Sequence, residues 1–131
     1  MDTISNMLSS IKNASAVGKK FVELPYTKTN EAILGVLKDA GLIMDMKVFK
    51  EKESSHKSLH VGLLYGDLDE PRVRKANRIS KPGRRIFKSY RELKKFNPGT
   101  GIWVVSTSRG ILSSNEAKSK KLGGELICEV M

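Results

Sequence analysis

A short segment in the second half of the chain combines three consecutive hydroxyl side chains with a cation and a glycine. Its residues are Ser106, Thr107, Ser108, Arg109 and Gly110. Because a hydroxyl both donates and accepts hydrogen bonds, the three can bind phosphates, a ribose 2′-OH or a base edge. Arg109 offers a planar fork for a phosphate, and Gly110 lets a ligand approach the backbone closely. A purely structural interpretation, in which the hydroxyls end a strand and cap the following loop, stays open at this point.

Positive charge is concentrated in the same half of the chain. The formal net charge is +10; residues 1–70 contribute nine Lys/Arg and ten Asp/Glu, whereas residues 71–131 contribute fifteen Lys/Arg and four Asp/Glu. From Arg72 to Lys95 there are eleven Lys/Arg and one acid, Glu92. So much like charge on a small sheet is costly unless phosphates neutralise it, which predicts a nucleic-acid partner. A membrane surface fits less well, since surface-bound helices need a large apolar face and this stretch has the pattern of strand and turn.

Residues beside these segments are further candidates for RNA contact. They are Arg84, Arg85, Phe87 and Lys88 in the basic run, and Gly123, Gly124 and Glu125 near the C-terminus. Phe87 is either a core residue or a ring on which a base stacks. Paired glycines at a strand start indicate that something must approach the backbone closely. Glu125, an acid among cations, either accepts a bond from a base amino group or orders an arginine.

Other chemistries lack their motifs. The hydroxyl segment does not match G-x-S-x-G, and His56 and His60 lie in or beside a polar loop, so serine hydrolysis is not supported. The sequence contains neither a zinc-binding spacing nor a G-x-x-x-x-G-K-[ST] phosphate loop. The single cysteine, Cys128, lies in an apolar alternation and is predicted to be a small buried side chain. We therefore expect no enzymatic activity, no metal, no cofactor and no small-molecule substrate.

Membrane insertion and export are also not predicted. No apolar run approaches the ~20 residues that cross a bilayer, and the N-terminus lacks the pattern of a signal peptide. The expectation is a cytoplasmic protein with no membrane partner.

Hydrophobic spacing in the first half predicts the order α-β-α-β-β. Apolar residues at i, i+3, i+4 and i+7 predict helices around residues 4–11 and 33–40, with a short strand at residues 21–24 between them. Met44, Met46 and Val48 alternate with polar residues, which predicts a strand with one buried face. Residues 59–65 alternate in the same way, so the two strands should form a hairpin around a polar turn at residues 51–58.

The second half predicts several strands and one short helix. Residues 73–80 form a basic strand candidate, followed by a type II turn at Lys81-Pro82-Gly83 with the glycine at positive φ. Residues 102–105 read as a central strand, and Ser113-Ser114-Asn115-Glu116 matches the S-x-x-E capping box that opens a helix. We predict an α+β fold of two small packed subdomains, an N-terminal α-β-α-β-β unit at residues 1–66 and a basic, strand-rich RNA-binding unit with a short helix at residues 67–131.

Taken in order, these segments resemble the small-subunit ribosomal protein eight family of bacteria. The matching pieces are Asp2-Thr3-Ile4, Met7-Leu8, Ile11-Lys12-Asn13-Ala14, Leu37-Lys38 with Gly41, Ser80-Lys81-Pro82-Gly83-Arg84-Arg85-Ile86, residues 102–110, and Gly123-Gly124-Glu125-Leu126-Ile127-Cys128. The similarity runs from residue 2 to the C-terminus. The combination of the serine-threonine-serine segment with the later double glycine is its most specific feature.

The resemblance implies a two-domain α+β protein that binds the central domain of small-subunit (16S) ribosomal RNA and supports subunit assembly. By similarity, Ser106, Thr107 and Ser108 contact the RNA, with Arg109, Gly110 and residues 123–125 beside them. The N-terminal helix, including Thr3 and Lys12, together with Lys28, would contact a second RNA element. Many members also repress translation of their own operon by binding their messenger RNA. Neighbouring small-subunit proteins are the remaining expected partners.

The chain departs from the family pattern at three positions. Phe87 stands where the family usually has tyrosine, and Lys81 and Lys12 replace arginines, so one hydroxyl and two planar guanidinium groups are absent.

Two other functions compete with the ribosomal one. A free-standing DNA-binding regulator lacks a helix-turn-helix or basic recognition helix, and an RNA-modifying enzyme lacks a nucleophile, base or metal set.

Overall fold

The computed structural model describes residues 3–50, 56–97 and 99–131. The helices and strands are α1 Thr3–Ala16, β1 Phe21–Pro25, α2 Lys28–Asp39, β2 Ile43–Lys50, β3 Lys57–Leu63, β4 Ala76–Arg78, β5 Phe87–Lys88, β6 Ile102–Thr107, β7 Gly110–Ser113, α3 Ser114–Ser119 and β8 Gly124–Val130. The predicted α+β class is confirmed, with α-β-α-β-β in the first half and five strands with one short helix in the second. Residues 51–55 of the predicted polar turn lie outside the described residues.

The two N-terminal helices follow from their apolar spacing. In α1, Met7, Leu8 and Ile11 are buried, and Gly18 follows the helix in the left-handed region at φ +78°. In α2, the hydroxyl of Thr27 caps the first turn by accepting a hydrogen bond from the backbone N–H of Asn30 at 3.0 Å. Each helix therefore packs a stripe of apolar side chains against the sheets.

The first sheet is antiparallel, with strand order β1-β3-β2. Ile43 pairs with Leu63 but Asp45 pairs with Gly62, so Met44 is the extra residue of a β-bulge. Met46 is half-buried, whereas Met44 and Val48 are exposed. The prediction of one buried face for these three residues is wrong for Met44, which the bulge moves out of phase. It is also wrong for Val48, which is 40% exposed although it pairs with the buried Leu59.

The second sheet has the order β4-β8-β6-β7, with β5 also paired to β8. Its first strand, β4, is shorter than the predicted residues 73–80. Its regular pairing ends at Arg78, next to an extra residue of β8, Ile127, which lies opposite the step from Val104 to Val105. Ile79 and Ser80 still donate backbone hydrogen bonds to the carbonyl groups of Ile127 and Leu126, outside the regular ladder. The predicted capping box is confirmed, since the hydroxyl of Ser113 accepts a hydrogen bond from the N–H of Glu116 at 3.2 Å.

One large apolar core includes residues of both sheets. Side chains of α1, α2 and β3 pack together with Val104, Cys128 and Val130 of the second sheet. A smaller cluster under α3 contains Val105, Ala117 and Leu126 with Leu93. The three-stranded sheet ends before Gly66 and the five-stranded sheet begins after it. The boundary between residues 66 and 67 stays a prediction, because the shared core does not itself divide there.

Candidate nucleic-acid interface

The hydroxyl segment forms the tight turn between β6 and β7. Thr107 pairs with Gly110, so Ser108 and Arg109 are the two residues at the tip, and both are exposed. Gly110 has φ +105°, a conformation that favours glycine because a side chain there would be strained. The turn therefore projects two polar side chains from the end of a buried strand.

The three hydroxyls have different environments. The hydroxyl of Thr107 donates to the carbonyl oxygen of Gly110 at 2.8 Å and accepts from the N–H of Arg109 at 3.1 Å. Among the described residues, the hydroxyls of Ser106 and Ser108 have no hydrogen-bond partner. The structural interpretation left open by the sequence thus applies to Thr107, whereas Ser106 and Ser108 keep their hydrogen-bonding capacity for a ligand.

Sheet register places two further candidates beside Ser106. Glu125 of β8 pairs with Ser106 on one side and with Phe87 of β5 on the other. Paired residues of an antiparallel sheet share a face, so Ser106, Glu125 and Phe87 form one row across three strands. Their neighbours Val105 and Leu126 point to the opposite face, into the cluster under α3. We call Ser106, Ser108, Glu125, Phe87 and Arg85 the turn surface.

Phe87 is 67% exposed, so its interpretation as a core residue is wrong. The physical reason is its row: the two neighbours on its face are polar, and no apolar cluster of the described residues includes it. An exposed ring beside hydroxyl and cationic groups is the geometry on which a nucleobase stacks.

Glu125 orders an arginine. Its carboxylate accepts hydrogen bonds from the guanidinium of Arg85 at 3.1 and 3.3 Å and from the hydroxyl of Ser80. The Glu125 side chain is only 18% exposed, whereas that of Arg85 is 57% exposed. Ser80, which is fully buried, also accepts from the N–H of Ile86 at 3.1 Å. A mostly buried carboxylate therefore holds an exposed guanidinium at a fixed place on the turn surface.

Ser80 is a positioning residue that sequence reasoning did not select. It belonged to a motif of the family resemblance, but a neutral serine among arginines carries no signal of a buried role. Only the pairing of β8 with the chain before and after the basic turn brings Ser80 to Glu125, 45 residues away.

The basic turn itself differs from prediction. Lys81 and Arg84 exchange two backbone hydrogen bonds, at 2.9 and 3.0 Å, so a tight turn is present. Gly83 is not among the glycines with positive φ, so the predicted type II turn is wrong. Because Gly83 lies outside the positive-φ region, the turn does not require a glycine at this position. Lys81 and Arg84 are exposed, which places two cations at the tip.

The paired glycines are required by the protein's own backbone. A Cβ atom on Gly124 would overlap the carbonyl oxygen of Ser106, and one on Gly123 would lie 2.6 Å from the carbonyl oxygen of Lys88. Both contacts are with backbone, which cannot move aside cheaply. Close approach of β8 to its two neighbours therefore explains the pair, and it sets the spacing of the row that contains Ser106 and Glu125.

Glu92, the one acid of the basic run, makes a hydrogen bond within that run. The carboxylate of Glu92 accepts a hydrogen bond from the N–H of Ser89 at 2.9 Å, and this bond holds the pKa of Glu92 below its usual value. Lys88 is half-buried and pairs with Gly124, next to the row of the turn surface. Three arginines within or next in sequence to the turn surface, Arg84, Arg85 and Arg109, are exposed.

The N-terminal candidates lie on separate elements. Thr3 and Lys28 are both exposed, and Thr3 lines a small cavity with Asn30, so the start of α1 lies near the first turn of α2. Lys12 follows Thr3 by nine residues, about two and a half helical turns, so the two side chains point to opposite flanks of α1. The structure therefore groups Thr3 with Lys28 and leaves Lys12 apart from them.

Metal or thiol chemistry has no site in the described part of the chain. No group of three or more His, Cys, Asp and Glu side chains lies close enough there to hold a metal ion. Cys128 is fully buried as predicted, and burial raises the pKa of its thiol to about 12. No helix of the described residues is long and apolar enough to span a bilayer.

The chain is similar to ribosomal proteins along nearly its whole length. Residues 2–131 match the model of the family described as Ribosomal protein S8. The chain is 40% identical to the small ribosomal subunit protein uS8 of Borreliella burgdorferi (strain ZS7) over 128 residues, which cover 98% of this chain and 96% of that protein. It is 41% identical to uS8 of Rhodopirellula baltica over 129 residues, covering 98% and 97%. It is 43% identical to uS8c of Welwitschia mirabilis over 130 residues, covering 99% of both.

The family match also bears on activity, because the family consists of structural ribosomal proteins and the chain is accordingly not an enzyme. A family model that covers almost every residue, together with full-length relatives at about 40% identity, confirms the resemblance drawn from the sequence. This chain belongs to the ribosomal protein S8 family.

Proposed function

We propose that this chain is a cytoplasmic structural component of the small ribosomal subunit, and that it binds the central domain of 16S ribosomal RNA directly through the turn surface. The observation that carries the proposal is the row Ser106–Glu125–Phe87, in which a free hydroxyl, an ordered arginine and an exposed ring meet on one sheet face. In this role it fixes the fold of an RNA junction and so supports assembly.

The chemistry of the turn surface suits folded RNA better than DNA. An RNA helix displays 2′-hydroxyls in a wide, shallow minor groove, and unpaired bases at bulges can stack on a ring. Ser106 and Ser108 can each donate to or accept from a 2′-OH, Phe87 supplies the ring, and Arg85 supplies a fork for phosphate. DNA lacks the 2′-OH, so it would offer the two hydroxyls only phosphates and base edges.

Preorganisation adds to the affinity of this surface. An exposed arginine on a flexible side chain loses rotamer freedom when it binds, at a cost of about 0.5–1.5 kcal/mol. The ion pair with Glu125 restrains Arg85 before binding, and the hydroxyl of Thr107 holds the turn that carries Ser108.

The same surface would accept a segment of the protein's own messenger RNA that presents the same shape, which is the proposed basis of self-repression.

The N-terminal candidates have a separate role in this proposal. Thr3 and Lys28 lie at the start of α1 and α2 and would contact a second RNA element, as the resemblance implies. Lys12 points to the other flank of α1, so it would meet a different strand of RNA or none. Other proteins of the small subunit would contact the faces that RNA leaves free.

The test is a titration against three probes: a fragment of the 16S central domain, the same fragment with 2′-deoxy substitutions, and the corresponding DNA. We expect tight binding to the RNA, a steep decrease of affinity with salt, and weaker binding to the deoxy fragment. Equal affinity for all three at each salt concentration would support the DNA-binding alternative and contradict the proposal. An unlabelled messenger fragment that displaces the ribosomal RNA would support self-repression.

A further inference from the structure

The fold divides the basic run, Arg72 to Lys95, between the two ends of β8. Lys75 exchanges two backbone hydrogen bonds with Met131, at 2.8 and 2.9 Å, just past the end of that strand. Phe87 of the turn surface pairs with Glu125, near its start. Six steps of extended chain, at about 3.3 Å each, separate these positions by about 20 Å. The first three cations of the run therefore lie apart from the turn surface.

These three cations are Arg72, Arg74 and Lys75, which we call the arginine–lysine cluster. Their backbone is fixed, because the N–H groups of Arg74 and Lys75 donate to the main-chain oxygen of Met131 at 2.6 and 2.9 Å. Val73, between the two arginines, is buried in the large apolar core. The three cationic side chains are exposed, and among the described residues they make no ion pair or hydrogen bond. A fixed backbone thus presents three cations that the described protein does not neutralise.

The arginine–lysine cluster lines an open cavity of about 310 Å³. Thr100 lines the same cavity, and its loop packs closely against β8, since a Cβ atom on Gly101 would lie 3.0 Å from the carbonyl oxygen of Val130. One acidic side chain, Glu70, is also in the lining, but its carboxylate accepts a hydrogen bond from the N–H of Leu68 at 2.9 Å. Three cationic side chains and one acidic side chain make the cavity attractive to an anion.

The chemistry of the cluster favours a nucleic-acid backbone over an acidic protein. Two guanidinium groups and one ammonium group within four consecutive residues can bind successive phosphates, the first two through planar forks. Protein interfaces are instead anchored by aromatic and other large apolar side chains at a desolvated centre. None of the large apolar side chains exposed in the described ranges lines this cavity. The phosphodiester backbone is therefore the ligand that fits.

We propose that the arginine–lysine cluster binds the phosphodiester backbone of a further ribosomal RNA segment, at nucleotides different from those on the turn surface. The choice of ribosomal RNA rests on the proposed function, whereas the cavity and its unpaired cations do not. Neither Thr3 nor Lys28, the candidates for an N-terminal RNA contact, lines this cavity. Because β8 joins the cluster to the turn surface, binding at both would fix the distance between two RNA segments.

The first test is the salt dependence of binding to complete 16S ribosomal RNA. Each phosphate contact contributes about 0.9 to the slope of log K against log salt concentration. Joint replacement of Arg72, Arg74 and Lys75 by glutamine should make this slope shallower by about two to three. The affinity at low salt should fall at least tenfold.

A matched control removes three charges elsewhere. Its replacements by glutamine are at three exposed lysines of the first half of the chain, Lys19, Lys47 and Lys50. The control should change the slope by less than one, and thermal unfolding checks that both triple variants fold. Equal slopes for the two triple variants would overturn the proposal.

The second test locates the cluster in assembled small subunits. Thr100→Cys places one accessible thiol beside the cluster, because the only other cysteine, Cys128, is fully buried. With an azidophenacyl group on this thiol, we expect a crosslink to 16S ribosomal RNA at nucleotides different from those that Ser108→Cys reaches on the turn surface. A crosslink to a protein, a crosslink to the same nucleotides as Ser108→Cys, or no crosslink would overturn the proposal.

The two proposals fail separately. An unmodified protein without affinity for 16S ribosomal RNA contradicts the proposed function. A protein that binds this RNA, while the triple variant of the arginine–lysine cluster keeps the slope of the control, contradicts this inference alone.

Discussion

The guanidinium of Arg85 lies 3.1 Å from the carboxylate of Glu125, with 40 residues of chain between them. The carboxylate also accepts a hydrogen bond from the buried hydroxyl of Ser80. Glu125 therefore positions the guanidinium of Arg85. We expect Glu125 to strengthen RNA binding, although its negative charge alone would weaken it.

Replacement of Glu125 tests this sign. Glu125→Gln raises the net charge by one, which by long-range electrostatics alone would strengthen binding to RNA. We expect a loss of about tenfold in affinity, about 1.4 kcal/mol, because the neutral amide loses the ion pair with Arg85 and restrains that side chain less. The measurement is the dissociation constant for the 16S fragment at fixed salt. Glu116→Gln, which makes the same charge change on the exposed side of α3, should not weaken binding; an affinity for Glu125→Gln at or above that of this control contradicts the assigned role.

Replacement of glycine by alanine should change stability in opposite directions at Gly124 and at Gly35. Gly124→Ala introduces a Cβ atom that overlaps the carbonyl oxygen of Ser106, and we expect it to reduce the free energy of unfolding by about 2–4 kcal/mol. Gly35→Ala in α2 meets no atom within 4 Å and should raise it by about 0.5–1 kcal/mol. Urea unfolding of both variants checks the pair. A Gly124→Ala protein as stable as the unmodified one would show that the strands can separate without cost.

Cys128 predicts a loss of stability at alkaline pH. Burial raises the pKa of its thiol to about 12 in the folded protein, while in the unfolded chain it is about 8.5. Between these values the folded state binds more protons than the unfolded state, so the stabilisation is complete below about pH 8.5 and is lost as the pH rises toward 12. Cys128→Ala should show a smaller decrease of unfolding free energy from pH 8 to pH 10.5 than the unmodified protein. Parallel pH profiles of the two proteins would contradict this assignment.

Thr107 should matter for the turn more than for the ligand. Thr107→Val removes one hydroxyl that makes two hydrogen bonds within the turn, which we expect to cost about 1 kcal/mol of stability. Thr29→Val, at an exposed position of α2, should change the melting temperature by less. If Thr107→Val left the melting temperature unchanged and abolished RNA binding, the hydroxyl would belong to the RNA contact instead.

Local sequence patterns predicted the elements of the fold well. The stripe that includes Met7, Leu8 and Ile11 and the capping box of Ser113 and Glu116 depend on spacing within one helix, and both are confirmed. The bulge at Met44 was not predictable, because it depends on how β2 pairs with β3 and not on residue type.

The candidate interface was predicted in content but not in geometry. The sequence identified the hydroxyl segment, the basic run and the glycine pair, each as a local motif. Their relationship depends on sheet register, which brings Phe87, Ser106 and Glu125 into one row from three distant parts of the chain. Exposure of Phe87 and burial of Ser80 follow from the same pairing and could not be read from residue type.

The central claim is that Ser106 and Ser108 contact RNA. The most direct measurement is the affinity of the Ser106→Ala, Ser108→Ala double variant for the 16S central-domain fragment, beside Ser119→Ala as a control on exposed α3. We expect the double variant to bind more weakly by about 1–3 kcal/mol, because the RNA groups that these two hydroxyls contact lose their partners. The melting temperature should not change, because neither hydroxyl has a partner within the described protein. An unchanged affinity in the folded double variant would contradict the account.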